Sequence, residues 1–169
     1  MKSIDDYIKA EDWKSAQRLI RKELKACPES HWLWSTLSHT YYEQYQYKRA
    51  LKYAKKALRM KPHCWLALWD YAGPLYMEGH DSEALAVWKS LVKRGVKGIA
   101  NGECGEGVVA ARQTVNDCLY NIGRFYAWLG KKALAVKYFR KHLKNRRKGF
   151  RSAYKLRDVE NELASVESV

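Results

Sequence analysis

A glycine-rich stretch with one cysteine, GVKGIANGECGEG at residues 95–107, carries the clearest ingredients for chemistry in this chain. Closely spaced glycines ahead of a helix can cradle a phosphate with backbone N–H groups, and Arg112 follows nearby. Cys104 offers a thiol, which becomes a nucleophile when a neighbouring base orients it. However, the stretch lacks the lysine of a P-loop, and no histidine or acid is placed to orient Cys104. We therefore interpret residues 95–107 as a hinge, with a lid over a binding surface as the alternative.

The remaining cysteines and histidines do not form a metal-binding pattern. The four cysteines are spread along the chain without a C-x-x-C pair, and no histidine stands at ligand spacing from them. We expect reduced thiols, no metal and no cofactor. No constellation of catalytic residues is present either, so we expect a protein that is not an enzyme.

Length and composition favour one folded domain spanning 1–169. The chain has 169 residues, of which 47% are hydrophobic and 13% aromatic, enough for a sizeable core. Its first residues, MKSIDDYIKAEDW, carry acids where a signal peptide has its apolar segment. No apolar run approaches the length of a membrane span. We expect a soluble, cytoplasmic protein.

An internal period organises the sequence. Pro28 and Pro62 stand thirty-four residues apart, and each ends a basic stretch with apolar residues at helical spacing. The segment between them, ESHWLWSTLSHTYYEQYQYKRALKYAKKALRMKP, resembles a tetratricopeptide repeat along its full length. Its signature positions are Trp34, Leu37, Tyr41, Tyr47, Ala50, Ala57 and Pro62. It departs from the family at Ser38, where glycine is preferred, and at Ala54, where an aromatic residue is preferred.

Further copies extend the resemblance over nearly the whole chain. Both WLALWDYAGPLYMEGHDSEALAVWKSLVKRG and DCLYNIGRFYAWLGKKALAVKYFRKHL are similar to the same repeat. One helical hairpin cannot bury its apolar stripe alone, so successive hairpins must stack. We predict an all-α, right-handed α-solenoid of helical hairpins, closed by a capping helix with one apolar face. The predicted parts are repeats at about 1–28, 31–64, 65–98 and 116–149, an insertion at 99–115 and a capping helix at 151–167.

The resemblance also implies a binding surface. In the tetratricopeptide family, a second row of side chains on each first helix lines a concave groove that holds a partner's peptide. The corresponding positions are rich in aromatic residues, beyond those that the packing stripe needs. The predicted groove residues are Trp32, His39, Tyr42, Trp69, Asp70, Tyr76, Asp117, Tyr120, Asn121, Arg124 and Trp128. We expect an adaptor that binds a peptide or helix of another protein.

Charge suggests an alternative function. The formal net charge is +14, and the basic residues concentrate in residues 46–61 and 131–157, which contain no acid. Residues 46–61 are typical of a solvated outer helix face. The second stretch includes a dense basic patch, which favours nucleic acid as the alternative partner. The patch consists of Lys144, Arg146, Arg147, Lys148 and Arg151.

Overall fold

The computed structural model describes residues 2–168, so the first and last residues of the predicted domain 1–169 lie outside the described residues. Residues 2–168 contain helices and no strand, which confirms the all-α fold class. In this described part of the chain, no helix is both long enough and apolar enough to cross a membrane. The helices are α1 (Ile4–Lys9), α2 (Trp13–Ala26), α3 (His31–Tyr42), α4 (Tyr47–Met60), α5 (Trp65–Met77), α6 (Asp81–Ala100), α7 (Gly107–Trp128), α8 (Lys132–Arg147) and α9 (Leu156–Ser168).

The chain forms two compact units, Met1–Ala84 and Leu85–Val169, with the boundary inside α6. In the first unit, α3 packs against α2, α4 and α5, while α1 packs against α2. Apolar residues at helical spacing fill the space between these helices, as the periodicity of the sequence requires. This core consists of Ile4, Ile20, Leu24, Leu33, Leu37, Tyr41 and Ala50.

Stacked aromatic rings hold the hairpin of α3 and α4 together. The ring of Tyr53 stacks on Trp34 and on Tyr41, with centroid distances of 5.7 and 5.3 Å. The Trp34 indole also donates a hydrogen bond to the Pro28 carbonyl at 2.7 Å, which fixes the entry of the chain into α3. Trp34 is therefore turned toward α4, and its neighbour Trp32 is left on a different face of α3.

In the second unit, α8 packs against both α7 and α9. Fully buried residues of these helices include Ile122 on α7, Phe139 on α8 and Val159 on α9. The helix α9 lies where the sequence predicts a capping helix, although it begins at Leu156 rather than at residue 151.

The glycine-rich stretch is helical in one part and irregular in another. Backbone dihedral angles leave the helical range at Gly95 (φ 68°), and helical structure resumes up to Ala100. Only residues 101–106 are irregular, and they include a turn in which the Gly105 N–H donates to the Gly102 carbonyl at 2.9 Å. The following helix α7 has 22 residues against 12 in α3, so much of the predicted insertion 99–115 belongs to a lengthened first helix.

Helix α7 approaches α8 closely at Gly123. A Cβ atom at this position would lie 2.7 Å from Cδ1 of the buried Phe139 ring. We predict that Gly123→Ala lowers the free energy of unfolding by about 1–3 kcal/mol, because the added methyl overpacks this contact. Urea unfolding followed by far-ultraviolet circular dichroism measures the change.

The matched control is Gly98→Ala in the exposed part of α6, where a Cβ would meet only the flexible Arg94 side chain, at 3.0 Å. Alanine gains up to about 1 kcal/mol of helix propensity over glycine, so this variant should be neutral or more stable. Equal destabilisation by the two substitutions would show that the approach of α7 to α8 is not as close as described.

Candidate functional site

Two first helices of the first unit, α3 and α5, pack against each other, and we call one row of side chains on these helices the α3–α5 face. It is formed by Trp32, Ser35, His39 and Tyr42 on α3 and by Trp69, Asp70, Gly73 and Tyr76 on α5. The Ser35 hydroxyl donates a hydrogen bond to Oδ2 of Asp70 at 2.6 Å, which fixes the carboxylate between the two helices. The ring of Tyr42 covers Gly73, where a Cβ atom would lie only 3.1 Å from the ring. Of the predicted groove residues, Tyr42 and Asp70 are therefore the ones that contact the neighbouring helix.

The aromatic side chains of this face keep part of their surface accessible. Trp32 is 36% exposed, and Trp69 and Tyr76 are half-buried. Trp32 also lines a pocket of about 320 Å³ with residues of α1 and α2. His39 makes an edge-to-face contact with Trp13 at a centroid distance of 6.3 Å, and its Nδ1 lies 3.9 Å from Glu43. The face can therefore offer apolar contacts beside a few oriented polar groups.

The corresponding face of α7, in the second unit, is covered by the chain itself. The segment Ser152–Tyr154 lies across it, and the Asp117 carboxylate accepts hydrogen bonds from the Ser152 hydroxyl and the Ala153 N–H. The Tyr154 ring lies 4.0 Å from the Tyr120 ring, centroid to centroid, and its hydroxyl donates to Asn121 Oδ1 at 3.0 Å. A partner would reach these α7 residues only after the segment moved away.

Helix α9 extends this cover. Glu162 accepts a hydrogen bond from the Tyr120 hydroxyl at 2.7 Å and lies 3.7 Å from the Arg124 guanidinium. Tyr120 is only 4% exposed as a result, and burial together with this hydrogen bond raises the pKa of its hydroxyl. Trp128, beyond the end of the cover, is 66% exposed. Among the predicted groove residues of α7, Arg124 and Trp128 are thus the accessible ones.

Asp117 has an unusual electrostatic environment. Burial raises its pKa to about 6, because the ionised carboxylate loses hydration that its neighbours replace only in part. The hydrogen bonds from Ser152 and Ala153, the charge of Arg146 on α8 and a hydrogen bond from Gln113 all act in the opposite direction. The strength of the hydrogen bonds that Asp117 accepts from Ser152 and Ala153 therefore depends on whether its carboxyl group is ionised.

The predicted basic patch forms a mostly exposed surface. Lys144, Arg147, Lys148 and Arg151 are exposed, whereas Arg146 is half-buried and donates to the Phe150 carbonyl at 3.3 Å. Three of its arginines line a pocket of about 360 Å³. The lining is Leu143, Arg146, Arg147, Gly149, Phe150, Arg151, Leu156 and Glu160.

Sequence reasoning missed the side chains that cover α7. Ser152, Tyr154 and Glu162 belong to a linker and a capping helix, and neither carries the spacing of a repeat. The available signal was the sequence RSAY, in which a hydroxyl and a phenol precede the apolar face of α9. Such a segment suits the polar groups of Asp117 and Asn121, but its path could not be read from the repeat pattern.

The observed fold defines a class of protein: successive helical hairpins packed on one another, as in α-solenoids. Two family models described as tetratricopeptide repeat match the chain, one at residues 35–61 and one at residues 117–148. The chain therefore contains tetratricopeptide repeats.

Solved structures agree with this assignment. One structure of MamA has a TM-score of 0.68 and 16% sequence identity, with 98% of this chain and 77% of that chain covered. A second MamA structure has a TM-score of 0.51 and 20% identity, with 88% of this chain and 97% of that chain covered. At these identities the likeness concerns the fold alone. No curated protein sequence matches the chain.

The raised pKa of Asp117 leads to a prediction about stability and pH. An aspartate in an unfolded chain has a pKa of about 3.9, so the folded protein binds an extra proton between that pH and about 6. The contribution of Asp117 to the free energy of unfolding is present below this window and is lost as the pH rises through it. The difference between wild type and Asp117→Asn should therefore fall by on the order of 3 kcal/mol between pH 4 and pH 7.

Urea unfolding at a series of pH values measures this difference, and Ser152→Ala supplies a second variant. Because the Ser152 hydroxyl stabilises the ionised carboxylate, its removal should extend the window to higher pH. A difference between wild type and Asp117→Asn that stays constant or grows with pH would contradict the assigned environment.

Proposed function

We propose that this protein is a non-catalytic adaptor that holds a peptide or helix of a partner protein on the α3–α5 face. Tetratricopeptide repeats are protein–protein interaction modules and are typically non-catalytic scaffolds. The first helices of such repeats offer side chains from consecutive hairpins, so a partner segment that crosses them contacts several repeats at once. This supports a binding role in which the fold supplies the position and the side chains supply the selectivity.

The observation that carries the proposal is the pairing of Trp32 and Trp69 with the Ser35–Asp70 hydrogen bond on one face. Tryptophan is enriched among residues that dominate binding energy, because it contributes a large apolar area at small conformational cost. The Asp70 carboxylate, held by Ser35 at 2.6 Å, offers an oriented acceptor for a donor on the partner. A partner with an apolar or aromatic anchor next to a basic or amide donor fits this face.

In the second unit, taken by itself, Trp128 is a proposed contact residue on α7. It is 66% exposed and contacts Phe125 with a ring-centroid distance of 6.1 Å, which holds the indole in place on α7. Arg124, one turn earlier, is exposed and carries the only charge of the proposed α7 contact surface that is not buried. Both remain accessible while residues 152–154 cover the rest of that face.

We predict that Trp69→Ala and Trp128→Ala each weaken partner binding by about 2 kcal/mol or more, which is roughly thirtyfold in affinity. The control is Tyr45→Asn, which removes an aromatic ring that is 80% exposed outside these faces. Asparagine tolerates the positive φ of 60° at this position, so the backbone is preserved. Affinity capture from a nuclease-treated lysate of the source cells identifies the partner, and calorimetry with the purified partner measures the affinities.

The expected outcome is capture that survives nuclease and the Tyr45→Asn change but is weakened by both tryptophan changes. Circular dichroism of each variant should match the wild type, since neither tryptophan lies between the two helices of a hairpin. Capture that is indifferent to both tryptophans would refute the α3–α5 face as the binding surface.

A second candidate function is nucleic-acid binding by the basic patch. The observation that favours it is the pocket of about 360 Å³, whose lining includes Phe150 and the arginines at 146, 147 and 151. Arginines bind phosphates through several N–H groups, and an aromatic ring gives an unpaired base a stacking surface. The Arg112 guanidinium already lies 5.1 Å from the Phe150 ring centroid, so a base would have to share or replace that contact.

This second function predicts a steep dependence on salt. If four phosphates are neutralised, the logarithm of the affinity for single-stranded RNA should fall with the logarithm of salt concentration with a slope of about −3. Charge reversal at Lys144, Arg147, Lys148 and Arg151 should abolish binding, whereas reversal at Lys9, Lys14, Lys22 and Lys25 should not. Fluorescence titration of a mixed-sequence RNA at several salt concentrations tests both points, and a shallow slope would exclude this function.

A further inference from the structure

A basic groove with an apolar floor lies on a different surface of the first unit, between α4 and α5. Its volume is about 670 Å³, and we call it the α4–α5 groove. Four cations of α4 stand along it at spacings of four, three and four residues, so they form one stripe roughly 16 Å long. The groove is lined by Lys48, Leu51, Lys52, Lys55, Leu58, Arg59 and Tyr71.

The cations of α4 divide into two groups with different surroundings. Lys56 lies over the Trp34 ring at 4.2 Å and Arg49 over the Tyr41 ring at 5.7 Å, so these two residues complete the aromatic stack of the hairpin. The four cations of the groove do not lie over that stack. Within residues 2–168 none of them forms an ion pair, and α4 itself contains no acid.

The like charges and partly exposed leucines of the α4–α5 groove lower the stability of the protein when no partner is bound. Like charges at i,i+4, as between Lys48 and Lys52, disfavour a helix by about 0.2–0.5 kcal/mol per pair. Leu51 and Leu58, two turns apart on the floor, keep part of their apolar surface in contact with water. An anionic partner with an apolar stripe would relieve both costs at once.

The far wall of the groove restricts the partner further. The Tyr71 hydroxyl donates a hydrogen bond to Glu83, so a carboxylate stands at that edge, and burial together with this hydrogen bond raises the pKa of the phenol. A nucleic acid would meet this carboxylate with its phosphates and would find an aliphatic floor with one tyrosine on which to stack its bases. A protein helix matches the floor better, because its side chains at i and i+7 repeat the spacing of Leu51 and Leu58.

We propose that the α4–α5 groove binds an acidic amphipathic helix of a partner protein. Apolar residues of that helix, one to two turns apart, cover Leu51 and Leu58, and its flanking carboxylates face the stripe from Lys48 to Arg59. The site shares no residue with the α3–α5 face, so it stands or falls independently of the adaptor function proposed above.

Three synthetic probes test the proposal on the full chain. The first is a peptide of about 14 residues, or four helical turns, with leucines at i, i+3 and i+7 and glutamates beside them. The second has the same composition in scrambled order, and the third is a single-stranded oligodeoxythymidylate of equal charge. Fluorescence anisotropy should show the amphipathic peptide binding at least about tenfold more tightly than either of the others, a difference of 1.4 kcal/mol.

Matched variants locate the binding site. Lys52→Glu with Lys55→Glu should weaken binding of the amphipathic peptide by about tenfold or more, through loss of charge complementarity. Lys22→Glu with Lys25→Glu makes the same charge change at the same spacing on exposed residues of α2, and should leave binding almost unchanged. Leu58→Ala should weaken binding without changing charge, with circular dichroism verifying that the fold is intact.

Three outcomes would overturn the proposal. Equal binding of the scrambled peptide would mean that the apolar floor takes no part. Tighter binding of the oligonucleotide that Lys52→Glu with Lys55→Glu abolishes would make the groove a nucleic-acid site. Equal losses in the two double variants would mean that net charge, rather than this groove, attracts the probe.

Discussion

A stacked pair of tyrosines, one from each helix of a hairpin, recurs in both units and sets the geometry of everything else. Tyr126 on α7 and Tyr138 on α8 lie 5.7 Å apart with nearly parallel rings, and Tyr41 and Tyr53 repeat this arrangement. A cation from the preceding helix lies over the first tyrosine in each case, Arg21 over Tyr41 and Lys89 over Tyr126. Because this contact orients the hairpin and joins it to the helix before it, it also determines which side chains of the first helix remain available for binding.

The sequence allowed the helices, their pairing and their packing faces to be predicted, because helical periodicity is a local property. Both departures from the repeat pattern have physical reasons. The Ser38 hydroxyl donates to the Ala50 carbonyl at 2.8 Å, so a serine is tolerated where two helices approach closely. At Ala54 the expected aromatic ring is missing, but the adjacent Tyr53 provides one that stacks on Trp34 and Tyr41. The repeat pattern marks the departure at Ala54 but does not show that Tyr53 supplies the ring.

The cover over α7 could not be predicted in the same way. It depends on the path of residues 149–155, which have no periodicity, and on hydrogen bonds between groups more than thirty residues apart in sequence. Asp117 beneath it is affected chemically as well as sterically, since burial raises its pKa to about 6 while the hydrogen bonds from Ser152 and Ala153 oppose that rise. A residue that the repeat alignment places in an open groove thereby becomes a titratable contact within the protein.

Helix α5 connects the two surfaces proposed for the first unit. Trp69 belongs to the α3–α5 face and Tyr71 to the α4–α5 groove, and at about 100° per residue these side chains leave the helix roughly 200° apart. Two partners could therefore bind the first unit together without competing for a side chain. The proposed α3–α5 face relies on apolar burial, which salt affects little. The proposed α4–α5 groove relies on charge, which salt screens. Ionic strength would then separate the two interactions, and a rise in salt would release the acidic helix while the segment on the aromatic face stays bound.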